Sequence, residues 1–145
     1  MINLGSKHFT WTEVLFSETA ARWGIDNTPD DETQATIVRT AQRADAVREA
    51  LGAPMRVSSW YRGLKLNTRI GSKPSSQHVR GEAIDFTAPD FGTADQVFEF
   101  LKAHMVELGI DQLIREYPEH ANGGWVHISF SDNPRHMAFT ITGSK

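Results

Sequence analysis

The sequence predicts an α+β domain, a small antiparallel sheet packed with about three helices. Two observations lead there: apolar residues recur at helical spacing behind capping signatures, and short alternating or apolar runs lie between and after them. The chain has 145 residues, 39% of them hydrophobic and none of them cysteine, which suits one domain over residues 1–145 with a sizeable core.

Thr10-Trp11-Thr12-Glu13 marks the first helix as a capping box, in which threonine and glutamate each satisfy a backbone N–H at the helix start. Trp11, Val14 and Leu15 give that helix an apolar face. Thr28-Pro29-Asp30-Asp31 reads as a cap with proline at the first helical position, followed by Ile37, Ala41, Ala44, Val47 and Leu51 up to Gly52. Thr93-Ala94-Asp95-Gln96 opens the third helix, and its stripe of Val97, Leu101, Met105 and Leu108 ends at Gly109. Strand-like segments cover residues 55–59, 83–87, 110–116, 125–130 and 136–140, and residues 71–77, rich in Ser, Gly, Lys and Pro, form a connecting loop.

Alternation within 125–130 puts Val126, Ile128 and Phe130 on one face and Trp125, His127 and Ser129 on the other. The first face packs the core and the second carries the chemistry. Two further donors come from Ser76-Gln77-His78-Val79-Arg80-Gly81-Glu82-Ala83-Ile84-Asp85. His78, Asp85 and His127 together are donors of the kind a catalytic zinc takes, leaving the fourth position to water. A lone strand histidine is more often a surface or hydrogen-bonded group, so the motif context is what favours ligation. Asp85 lies in the apolar run Ala83-Ile84-Asp85-Phe86, where a buried carboxylate is costly unless paired or metal-bound. Gly81 suits a bend that returns His78 and Asp85 to one ion. This arrangement points to a metal-dependent hydrolase. A non-haem iron oxygenase uses a similar donor set, but the chain has too few regular strands for the barrel such an enzyme needs.

The pattern S-x-H-x-x-G-x-A-x-D followed by W-V-H resembles the zinc D-alanyl-D-alanine carboxypeptidase family, which includes vancomycin-resistance dipeptidases, bacteriophage endolysins and hedgehog-type domains. The resemblance continues through Arg56-Val57-Ser58-Ser59-Trp60-Tyr61-Arg62 and Asp111-Gln112-Leu113-Ile114-Arg115-Glu116. From His8-Phe9-Thr10 to the last strand, the chain is similar to a compact phage-associated branch of that family. The resemblance implies zinc and a peptidoglycan stem peptide as substrate. Both carboxypeptidases acting on terminal D-alanine and endopeptidases cutting between L-alanine and D-glutamate occur among relatives, and a phage endolysin-type endopeptidase is the preferred expectation.

Many relatives place an acidic residue three positions before the last histidine ligand, where this chain has Gly124. Glu116, matching the D-Q-L-I-x-E segment, is the expected general base, with Glu119 in reserve. Arg62 matches a family tyrosine–arginine pair and is expected to clamp a substrate carboxylate or stabilise the oxyanion, the alternative being an ion pair. Ser76 matches a family position near the substrate, and His120 lies in a loop beside the expected site. His8, His104 and His136 are expected at the surface or in packing.

The net charge of −3 gives no global basic field, so nucleic acid is not an expected partner. Neither a secretion signal nor a membrane-spanning run is recognisable, which predicts a soluble monomer made in the host cytoplasm that acts at the cell wall or is carried on a virion. Loss of a general base at position 124 keeps open a second reading, a non-catalytic zinc-containing binding or phage tail-assembly module.

Overall fold

The computed structural model describes residues 1–143. Helix α1, Trp11–Leu15, carries the expected capping box: Thr10 Oγ1 accepts from the Glu13 N–H, and Glu13 Oε1 accepts from the Thr10 N–H. A helix that the sequence pattern does not predict, α2 (Glu18–Trp23), follows at once, capped by Ser17. Helix α3, Asp31–Leu51, is the predicted second helix with a different start. Its cap is Asp30, whose Oδ1 accepts from the Thr33 N–H at 2.8 Å, so Pro29 stands outside the first turn and Thr28 caps nothing. Ile37, Ala41, Ala44 and Val47 are fully buried along α3, as the spacing predicts.

After strand β1 (Arg56–Ser59) comes a second unpredicted helix, α4 (Leu64–Ile70), and then a single 3₁₀ turn over Gln77–Arg80. Strand β2 (Ala83–Thr87) precedes helix α5 (Ala94–Ala103), which opens on the predicted Thr93/Gln96 capping box. The α-helix stops at Ala103, and Met105 is buried from the turns that follow it. Strands β3 (Ile110–Glu116), β4 (Trp125–Phe130) and β5 (Met137–Ile141) complete the order.

The strands form one sheet in the order β1-β2-β4-β3-β5. Three pairings are antiparallel, whereas β5 runs parallel to β3, so the sheet is mixed where an antiparallel one is expected. The reason lies in the connection over residues 131–136. Strand β4 ends where Phe130 faces Ile110, the first residue of β3, so the chain needs only a short connection to start again beside β3 in the same direction. His136 turns the chain with a φ of 54°, and its Nδ1 lies 3.0 Å from the Ile110 carbonyl oxygen.

One face of the sheet packs Ile84, Phe86, Val126, Ile128 and Phe130 into a core shared with Ile37, Val47, Val97 and Leu101. Each such side chain contributes about 1.5–3 kcal/mol by leaving water. That rigid layer fixes the register of β2 and β4, and hence what projects from their other face.

Candidate metal centre

Asp85 and His127 are direct partners across β2 and β4, so both side chains leave the same face of the sheet. Asp85 Oδ1 lies 2.8 Å from His127 Nδ1. Glu116 pairs with Trp125, one step along that face, and its Oε1 reaches to 3.5 Å from the same His127 nitrogen.

His78 arrives from the 3₁₀ turn. Ser76 Oγ accepts from the His78 N–H at 3.2 Å, and the His78 carbonyl accepts from the Arg62 and Gly81 N–H groups. Gly81 ends the turn at a φ of 73°, and a Cβ there would run into the Ile37 side chain of α3. Only glycine allows both the left-handed turn and the close approach. His78 Nδ1 lies 2.6 Å from the Trp60 carbonyl oxygen, which can only accept, so Nδ1 carries the proton and the Nε2 lone pair faces Asp85. Nε2 is 3.3 Å from Asp85 Oδ2.

One ligand atom from each of His78, Asp85 and His127 falls within 4.8 Å of the others, and all three residues are buried. Burial lowers the pKa of His78, against the pull of Asp85. Burial opposes ionisation of Asp85, yet the flanking His78 and His127, in their charged forms, hold its carboxyl well below the usual range. A neutral imidazole and an ionised carboxylate are the protonation states that ligation requires. Two imidazoles and a carboxylate suit zinc by donor type, and the carbonyl behind His78 supplies the hydrogen bond that ligating histidines ordinarily make with their second nitrogen. The residues present therefore fit the ion.

Arg62 is 7% exposed and spends each type of guanidinium nitrogen: Nε on Ser59 Oγ at 2.9 Å, Nη1 on Ser72 Oγ at 3.1 Å and Nη2 on Asp85 Oδ2 at 3.3 Å. Arg62 thus touches a candidate ligand directly. A cleft of about 550 Å³ opens beside it, lined by Arg62, Asp85 and Trp125 together with Val57–Ser59 and Phe16–Thr19.

Ser76 caps the turn that carries His78. His120 stacks on Tyr117 with ring centroids 5.1 Å apart and meets the edge of Trp125 at 6.3 Å. Glu119 is turned away, its Oε1 accepting from the Gly143 N–H at 2.7 Å. His8, His104 and His136 lie by Glu49, Glu107 and the Ile110 carbonyl, outside the donor cluster. Gly124 has a φ of 72°, and a Cβ there would collide with the carbonyl oxygens of Glu116 and Tyr117. The hairpin backbone leaves no room for a side chain at that position.

Sequence reasoning does not find the cleft wall at Phe16–Thr19 or the serines that hold Arg62. Phe16 offers a signal, an aromatic residue between two helices that is 61% exposed and borders the cleft. The Trp60 carbonyl carries no residue-type signal, because any residue supplies one.

An α+β fold that gathers two histidines and an aspartate, the aspartate lining a cleft, defines a candidate metal-dependent hydrolase. The model of the peptidase M15 family matches residues 7–129, and the chain belongs to that family. Its members are metal-dependent peptidases, in agreement with the buried donor cluster. Comparison with curated proteins gives no match.

Proposed function

We propose that this chain is a single zinc peptidase domain acting on a stem peptide of bacterial peptidoglycan. The observation that carries the reading is the buried His78–Asp85–His127 cluster, whose Asp85 also lines an open cleft, in a chain of the peptidase M15 family. His78, Asp85 and His127 would hold the ion. When bound, zinc supplies Lewis acidity, polarising the attacked carbonyl and making water a nucleophile near neutral pH.

The remaining work falls to the chain's own residues. Glu116, whose carboxylate stands 3.5 Å from His127 Nδ1, takes the proton of the attacking water as the carbon–oxygen bond forms. It returns that proton to the amine as the carbon–nitrogen bond breaks. Arg62 fixes Asp85 and places positive charge on the wall of the cleft, to offset the negative charge that develops on the carbonyl oxygen. Ser76 and His120 contribute to substrate binding, with His120 held by its stack on Tyr117.

The favoured bond is the L-alanyl-D-glutamate linkage of an endolysin-type endopeptidase, with the terminal D-alanyl-D-alanine bond as the other candidate. The reaction takes place at the cell wall, with the protein released there or carried on a virion, and the acting species is a monomer. No described helix is long and apolar enough to cross a membrane. The alternative, a zinc-containing binding module, rests on Gly124; a backbone cause for that glycine and the nearness of Glu116 to His127 support the catalytic reading.

Digestion of purified peptidoglycan and mass spectrometry of the muropeptides test the proposal. One new amino terminus within the stem peptide is expected, and its position names the bond. Intact stem peptides after prolonged incubation with zinc-loaded protein would contradict a peptidase.

A further inference from the structure

Asp111, at the start of β3, is a buried carboxylate with 1% exposure. It accepts from the Arg135 backbone N–H at 2.7 Å, Arg135 Nε at 2.9 Å, Arg135 Nη2 at 2.7 Å and Gln77 Nε2 at 3.0 Å. Gln77 is itself buried, and its amide also lies 3.4 Å from the Phe130 carbonyl at the end of β4. The residue that follows it in the same turn is His78. A 3₁₀ turn has poor hydrogen-bond geometry and is a weak support on its own. The turn is therefore held from outside at three points: the Trp60 carbonyl fixes the imidazole, the Arg62 N–H binds the His78 carbonyl, and the Gln77 side chain fastens the backbone to β3 and β4.

We infer that Gln77 and Asp111, with Arg135 behind them, are positioning residues that hold His78 where a metal needs it. The inference rests on reading His78, Asp85 and His127 as the metal ligands. An imidazole already fixed in place surrenders little freedom on ligation, and outer partners that orient ligands typically carry about 10–100-fold in metal affinity. The bracket also has an accessible end. The Arg135 side chain is 51% exposed on the connection between β4 and β5, so a change at the surface acts on a buried ligand through two side chains.

The test is zinc affinity of the full chain, read by competition with a chromophoric chelator, beside thermal unfolding of the metal-free protein. Gln77→Leu keeps bulk but removes the amide, and its affinity is expected to fall about tenfold or more. Arg135→Ala is expected to lower affinity in the same direction by less, and its exposed position keeps the test available should Gln77→Leu not fold. Asp45→Asn is the control, because Asp45 is a buried carboxylate that only ties down Ser6, Lys7 and His8. It should lower the melting temperature and leave zinc affinity unchanged. Wild-type affinity in both Gln77→Leu and Arg135→Ala overturns the inference, whatever their melting temperatures, and so does an equal loss in Asp45→Asn. Wild-type protein that binds no zinc overturns the metal reading and this one with it.

Discussion

Asp85 faces His127 directly across two neighbouring strands, with 2.8 Å between Oδ1 and Nδ1, while its other oxygen is shared by His78 Nε2 and Arg62 Nη2, each at 3.3 Å. One buried carboxylate therefore joins both histidines and the arginine. Asp85→Asn removes the negative charge and leaves the Arg62 guanidinium buried without its counter-ion. Breaking a buried pair in this way costs about 3–5 kcal/mol. Chemical denaturation of the metal-free variant should show a loss on that scale, and zinc titration should show binding abolished.

Glu116→Gln keeps size and hydrogen bonding but removes the proton acceptor. Turnover should fall by about 10²–10⁴-fold while folding and zinc content survive. Glu119→Gln serves as the comparison, since the Glu119 carboxylate is bound to the Gly143 N–H and should leave turnover near normal. Steady-state kinetics on a stem peptide distinguish the two, and a reversed result would move the base to Glu119.

For Arg62→Lys, the charge remains but the planar fork that bridges Ser59, Ser72 and Asp85 does not. A large fall in kcat/KM with zinc still bound is expected. Normal kcat/KM with only a lowered melting temperature would make Arg62 purely structural.

The Asp111 carboxyl is lowered from 3.8 to about 2, chiefly by its hydrogen bonds from Arg135, with burial opposing. A folded-state pKa below the unfolded value means stability that is fully present above about pH 4 and lost as pH falls toward 2. Its size is roughly 2 kcal/mol. The stability gap between wild type and Asp111→Asn should be level from pH 7 to 4 and then narrow by about that amount toward pH 2, as read from denaturant melts. A gap unchanged over the acid range would mean the carboxylate gains nothing from its partners.

Gly124→Ala should destabilise the hairpin by more than the ~1–2 kcal/mol of a left-handed alanine, because the methyl group also meets the Glu116 and Tyr117 carbonyl oxygens. Thermal unfolding measures this directly. A silent substitution would show that the turn relaxes freely and that glycine there has no backbone cause.

Where local chemistry decides, the chain could be read directly. Strands β2, β3 and β4 occupy the expected residues because each is a short, largely apolar run, and the alternation within β2 and β4, paired in register, puts Asp85 and His127 on one face. Helix α3 shows in its apolar spacing, but two acceptable caps stand within three residues, and the geometry of the Asp30 carboxylate selects the later one. Helices α2 and α4 are too short, at 6 and 7 residues, to show a period. The parallel course of β5 depends on where β4 ends in space. Likewise Arg62's hold on Asp85 and Gln77's hold on Asp111 join residues 23 and 34 positions apart, which no local pattern encodes.

If a metal held by His78, Asp85 and His127 is what cleaves the peptide bond, hydrolysis must be lost with the metal or with a ligand. The most direct measurement is hydrolysis of a synthetic stem peptide by protein stripped with a chelator, then given back one equivalent of zinc, with the metal-free His78→Ala protein treated alike. No product is expected from the stripped protein, with full recovery of hydrolysis in the wild type on adding zinc and none in His78→Ala. Full hydrolysis by stripped wild type, or by His78→Ala, would contradict it.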